Sequence, residues 1–346
     1  MLSSTSNSDS RRPQVAGWFS WVLTAMLFVA LVSTGETYWR NQGHRPSVVD
    51  DNDLWCVERS KVSDDVKCVV LLGASRMLQG FDTELFAKRY PDWTISQLAI
   101  WGASPLSTLE HLSQNETFRG TILCSIMMDY EECGDIEEQR EWIEYWNHQR
   151  TLNKTINRRL SSLIQSNFSL VRPNLSINNV LTKLADGEAI EPYYLFTAAD
   201  RSRGGDYTMI PVQDRINRRI VAAKNKVDRT NPTDQHALWV TQTKPIRKWV
   251  QRINKRGGKV IFIRFPIAPS LYQFAQKLTP RSQYFDRFGD TVEAHTIHFK
   301  DIPAIANIDC PDSSHIDQRD KEPLTAALLD ELVQRNILPA PKPQQR

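Results

Sequence analysis

The chain is 346 residues long, 40% apolar and 24% charged, which is ordinary globular composition with room for one large α/β domain or two small ones. Its net charge of +3 is too small to argue for a nucleic-acid partner. No glycine-rich stretch fits a phosphate loop or a dinucleotide fingerprint, so no nucleotide cofactor is expected.

The first element in chain order is apolar. Gly17–Thr34, GWFSWVLTAMLFVALVST, carries no charge over 18 residues, about 27 Å as a helix, just enough to cross a hydrocarbon core. Arg11 and Arg12 precede it, and Glu36 and Arg40 follow it. The positive-inside tendency places residues 1–16 as a cytoplasmic tail and everything after the span outside the cytoplasm, periplasmic or external. A cleaved signal peptide is the competing reading, but no clean Ala-x-Ala site follows the run. Residues 35–65 are polar without a sustained period and read as a stalk or membrane-proximal loop.

Val66–Leu72 is a short apolar run without alternation, as in a strand buried on both faces of a parallel sheet. Met77–Tyr90 has helical spacing, Thr94–Ile100 is a second strand, Leu106–Gln114 a helix and Thr121–Met128 a third strand. That alternation predicts a three-layer αβα sandwich around a parallel sheet, spanning 66–338. Residues 134–229 break the pattern: polar, rich in Arg and Asn and mostly helical in period, they read as an insertion or cap. Arg215–Lys226 reads there as a solvated helix face, and Trp142 to Trp146 as cap packing. The alternation resumes with a helix over 235–256, the strand Lys259–Phe265 and a last helix over 321–335; residues 339–346 read as a disordered tail.

Five cysteines (Cys56, Cys68, Cys124, Cys133 and Cys310) show no C-x-x-C spacing, so a zinc or dithiol redox site is not expected. Cys68 and Cys124 lie inside apolar runs, where a thiol packs as a small hydrophobe. His295 and His298, in EAHTIHF, have a His-x-x-His spacing but no matching acidic or cysteine partner; they read as solvated strand histidines, not metal ligands.

Chemistry concentrates where strands end, the edge at which open parallel sheets bind ligands. The first strand runs into Gly73-Ala74-Ser75-Arg76, the second into Trp101-Gly102-Ala103-Ser104, and a later one into Arg264-Phe265-Pro266. A nucleophilic serine needs a base and a group that orients the base. Cys310-Pro311-Asp312-Ser313-Ser314-His315 stands before the last helix, and Asp-x-x-His in one loop can set a carboxylate on one imidazole nitrogen while the other faces a serine. Each piece also has a plainer reading. Ser75 suits a helix N-cap, Gly102 a left-handed turn, Asp312 a cap and His315 the surface.

Taken together, Gly-x-Ser after the first strand, a glycine turn after the second and Asp-x-x-His before the final helix resemble the SGNH (GDSL-like) hydrolases. With the single anchor and Gly-x-Ser-Arg, the chain resembles more closely the membrane-anchored members that serve acylation of bacterial cell-surface polymers. The resemblance covers about 66–129 and 257–335. It implies Ser75 as nucleophile, His315 as base, Asp312 as its orienting carboxylate, and the N–H groups of Ser75 and Gly102 as oxyanion hole. It also implies an acyl-ester or polysaccharide substrate, hydrolase or O-acyltransferase activity without a cofactor, and a membrane acyltransferase as partner. The family's third-block asparagine has no counterpart, since the third strand ends Met127-Met128-Asp129-Tyr130. That departure keeps open a second reading, an inactive SGNH-like domain that binds polysaccharide or a membrane partner. The Gly-x-Ser-x-Gly elbow of α/β-hydrolases is excluded locally by Met77. Arg76 and Arg264 are candidates for holding an anionic group of the substrate.

Overall fold

The computed structural model describes residues 15–128 and 136–342. Arg11, Arg12, Asp129, Tyr130, Cys133 and the last four residues of the tail lie outside them. The chain divides into two compact units, one of residues up to Pro46 with Asn167–Pro192, the other of Ser47–Ser166 and Tyr193 onward.

The larger unit is built on a sheet. In chain order its strands are β1 (Cys68–Leu72), β2 (Thr94–Gln97), β3 (Thr121–Ser125), β4 (Leu195–Thr197), β5 (Arg203–Gly205), β6 (Lys259–Arg264) and β7 (His295–His298). β4 and β5 form a separate antiparallel pair. The other five make one parallel sheet in the order β2-β1-β3-β6-β7. Its central strands lack polar alternation because both faces are covered. Cys68, Val70 and Leu72 pack on one side with Leu106, Leu109, Ile246, Val250 and Phe288. Val69 and Leu71 pack on the other with Met77, Phe86, Leu324 and Leu328. The fold is a three-layer αβα sandwich, and the order reverses between β1 and β3, where such sheets open a crevice at the carboxyl ends of their strands.

Several sequence expectations shift. The helix expected over 77–90 is two helices, Ser75–Gly80 and Thr83–Arg89. Asp82 separates them by capping the second, its carboxylate accepting from the N–H groups of Glu84 and Leu85, both at 2.9 Å. Residues 35–65, read as a stalk or membrane-proximal loop, contain helical structure. The first helix continues to Asn41, and Asn52–Arg59 is a helix whose Trp55 is fully buried against the sheet's helices. Its period is hard to see because this helix also buries Glu58 and Arg59, polar positions that mask an apolar face. The inserted region also holds the short pair β4 and β5 among its helices.

The smaller unit contains the helix Val15–Asn41; within its Trp18–Asn41 part, which is long and apolar enough to cross a membrane, an 18-residue window has mean hydropathy 1.7. With it go two short 3-10 turns, Ser169–Val171 and Pro173–Leu175, and the helix Ile177–Ala185.

Candidate active site

β1 runs directly into the serine turn. Gly73 has φ +151°, and a Cβ there would lie 2.8 Å from Ser125 Cβ and 2.9 Å from Met77 Cβ, so the tight exit from the strand requires glycine. Ala74 is the N-cap of the following helix, with its carbonyl accepting from Met77 N and Leu78 N. Ser75 is therefore the first helical residue and not the cap. Its hydroxyl is directed to an imidazole instead, with Oγ 2.7 Å from His315 Nε2.

The partner loop is a turn organised by Asp312. Oδ1 accepts from the N–H groups of Ser314 (3.0 Å) and His315 (2.8 Å), while Oδ2 lies 2.9 Å from His315 Nδ1. Ser313 takes φ +72° at the centre, and its carbonyl accepts from Ala268 N at 3.0 Å, tying the loop to the segment after β6. One carboxylate thus both caps the turn and orients the ring. An ionised carboxylate only accepts, so Nδ1 carries the imidazole proton and Nε2 is left to accept from the serine hydroxyl.

Two side chains without a sequence signal complete the surroundings. Arg219, on the helix Gln213–Arg229, donates from Nη2 to Asp312 Oδ2 at 3.0 Å, with His315 Nδ1 3.4 Å away. The stretch expected to be a solvated face therefore turns one arginine inward. Trp101, in the turn before Gly102, stacks on His315 with ring centroids 5.6 Å apart and planes 22° apart. The Arg203 guanidinium lies 5.1 Å from the centre of the Trp101 ring and is itself paired with Asp50 at 2.6 Å. Arg219 is one of several arginines on a polar helix, and the sequence shows Trp101 only as part of a turn.

Asp312 and His315 are almost completely buried, whereas Ser75 is half-exposed. Burial opposes the charged carboxylate, but the hydrogen bond and charge of His315, the charge of Arg219 and the Ser314 N–H outweigh it and hold Asp312 well below the usual range. His315 is pushed below 6.5, first by burial and then by the charges of Arg219 and Arg76, against the raising influence of Asp312. A neutral imidazole beside an ionised carboxylate is the state in which a base can take a serine proton.

Gly102 has φ +76° with open space around its Cα, so backbone conformation and not crowding favours glycine there. Arg76 donates from Nε to Ser314 O (3.1 Å), from Nη2 to Ser314 Oγ (2.8 Å) and from Nη1 to Met127 Sδ, bracing the histidine loop against the end of β3. Arg76, Arg219 and Arg264 also line a cavity of ≈ 130 Å³ whose remaining wall includes Met127, Ile267 and Leu271. His298 corrects the expectation of a solvated strand pair. Only His295 is exposed; His298 is buried against Tyr272, Phe285 and Phe299, and its Nδ1 accepts from Lys300 N at 3.1 Å. Among the described residues no cluster of three or more His, Cys, Asp or Glu side chains could hold a metal ion.

No protein-family model matches the chain. No curated protein matches it either. Solved structures give loose likenesses. The crystal structure of TesA aligns at 11% identity over 77% of this chain and 97% of that one, with a TM-score of 0.34. The psychrotrophic esterase EstA from Pseudoalteromonas sp., inhibited by monoethylphosphonate, aligns at 12% identity over 79% and 100%, also at 0.34.

Proposed function

We propose that the chain is an exported, membrane-anchored serine acyl-ester hydrolase or O-acyltransferase of the SGNH type, acting on acyl groups of a cell-surface glycan or related polymer. The observation that carries this reading is the 2.7 Å approach of Ser75 Oγ to His315 Nε2, with Asp312 on the ring's other nitrogen. Ser75 attacks the acyl carbonyl as its proton passes to Nε2, and Asp312 stabilises the imidazolium that forms. The N–H groups of Ser75 and Gly102 receive the oxyanion. Collapse expels the alcohol, which takes its proton from His315 and leaves an acyl-Ser75 ester. Water or a sugar hydroxyl then attacks that ester with His315 again as base. The missing third-block asparagine costs one oxyanion donor, an effect on the order of 10²–10³ in rate. The inactive-domain reading rests on the missing asparagine; a Ser75–His315 separation beyond hydrogen-bond reach would have removed the enzyme reading, and the two stand within that reach.

The test is turnover of p-nitrophenyl acetate by the full chain in detergent, alone and with an acceptor oligosaccharide. Activity lost by about 10³-fold or more in Ser75→Ala supports the reading. Acyl-oligosaccharide product distinguishes transferase from hydrolase. Turnover unchanged in Ser75→Ala contradicts the assignment.

A further inference from the structure

The helix Val15–Asn41 is gripped at the point where its apolar character ends. Its apolar segment Gly17–Thr34 carries no charge. Glu36, two residues on and itself buried, accepts from Ser169 N at 2.8 Å and Leu170 N at 3.0 Å. Arg40 Nη2 donates to Asn167 O at 2.8 Å, Ser169 Oγ donates to His44 O at 3.1 Å, and Arg172 Nη1 donates to Arg45 O at 2.8 Å. Leu170 packs on Gly35, where a Cβ would stand 3.3 Å from Leu170 Cδ2. Chain from far along the sequence is thereby fixed to the end of the apolar helix.

Ile177–Ala185 follows a few residues later, with Ser176 Oγ accepting from Asn179 N as its cap. It buries none of its residues, yet Ile177, Val180, Leu181 and Leu184 recur at helical spacing. Ile177, Leu181 and Leu184 are 77%, 60% and 63% exposed. A nine-residue helix is marginal in water without a surface for its apolar face. Its other side carries Asn179, Thr182 and Lys183, the polar complement expected of a helix lying flat at a boundary. Where the apolar run of a membrane-spanning helix gives out, the surface beside it is the lipid headgroup and acyl boundary.

We propose that Ile177–Ala185 is a second membrane contact, lying in the bilayer interface with Ile177, Leu181 and Leu184 among lipid acyl chains. This rests on the reading of Val15–Asn41 as a membrane span. The contact is continuous with that span through Glu36 and Leu170, and this continuity favours lipid over a soluble partner or a second copy. Its consequence is that the exit of the anchor is held by two elements instead of one.

Photo-crosslinking separates the possibilities. The full chain is reconstituted in phosphatidylcholine vesicles with p-benzoylphenylalanine at one position: Val29→p-benzoylphenylalanine in the span, Leu181→p-benzoylphenylalanine on the apolar face, or Thr182→p-benzoylphenylalanine on the polar side. All three positions are exposed, so the substitutions leave the packing intact. The expected result is a lipid adduct by mass at 29 and 181, several-fold weaker at 182. Lipid at 29 with none at 181, or a covalent dimer at 181, overturns the interfacial helix and leaves the anchor standing. No lipid at 29 overturns the anchor reading and this one with it.

Discussion

Arg219 and Asp312 meet at 3.0 Å across 93 residues of sequence, and they do so on the carboxylate oxygen that also faces His315. A permanent positive charge from the inserted region is thereby set beside the proposed base. It holds Asp312 ionised and opposes protonation of His315. Removing it raises the histidine's pKa. Arg219→Met is expected to move the acid limb of the kcat/KM–pH profile upward and to lower kcat/KM at pH 7 roughly tenfold, with Arg219→Lys restoring part of both. An unchanged acid limb in Arg219→Met would mean that the arginine is only a packing contact.

Trp101 covers one face of the His315 ring. Burial is the largest influence lowering that histidine's pKa, so Trp101→Ala, by admitting water, is expected to shift the acid limb in the same upward direction. Trp101→Phe, which keeps an aromatic face, is expected to shift it less. Profiles of the two variants beside the parent check the order.

Gly73 sets the exit from β1. Gly73→Ala meets Ser125 and Met77 below 3.0 Å in a backbone conformation that L residues rarely adopt. The expected cost is about 1–3 kcal/mol of unfolding free energy by denaturant titration, together with loss of activity, because the clash falls next to Ser75. Full stability with full activity would contradict the described turn.

His298 bears on stability and not on chemistry. Burial, then the charges of Arg281, Arg264 and Lys300, push it down to about 3 from 6.5. The unfolded chain takes up this proton as the pH falls through 6.5, while the native chain resists until about 3. Stability present above pH 6.5 is therefore lost progressively across that window. His111, pushed down to about 4, acts in the same direction. The denaturant midpoint is expected to fall between pH 7 and pH 4.5, and to fall less in His298→Phe.

Much of this arrangement is legible in the sequence. Strand, turn and helix around Ser75 announce themselves because β1 is buried on both faces and so is apolar at every position. The Asp-x-x-His loop is local, and three residues of spacing suffice for one carboxylate to cap the turn and face the ring. Arg219 is not legible, because its partner is brought close only by the packing of Gln213–Arg229 against Pro269–Leu278. Trp101 is hidden because stacking between two loops leaves no period in either sequence. The helix Asn52–Arg59 escapes notice because buried Glu58 and Arg59 break its apolar pattern; Glu58 pairs with Lys61 at 2.6 Å, and Arg59 lies beside His111.

The proposed reaction requires Ser75 to be an activated nucleophile. Fluorophosphonate treatment of the full chain in detergent, read by intact mass and peptide mapping beside Ser75→Ala and His315→Ala, tests it directly. One adduct on Ser75, absent from Ser75→Ala and strongly reduced in His315→Ala, is the predicted result. A folded chain that takes no label, or one that labels equally in all three proteins, would contradict it.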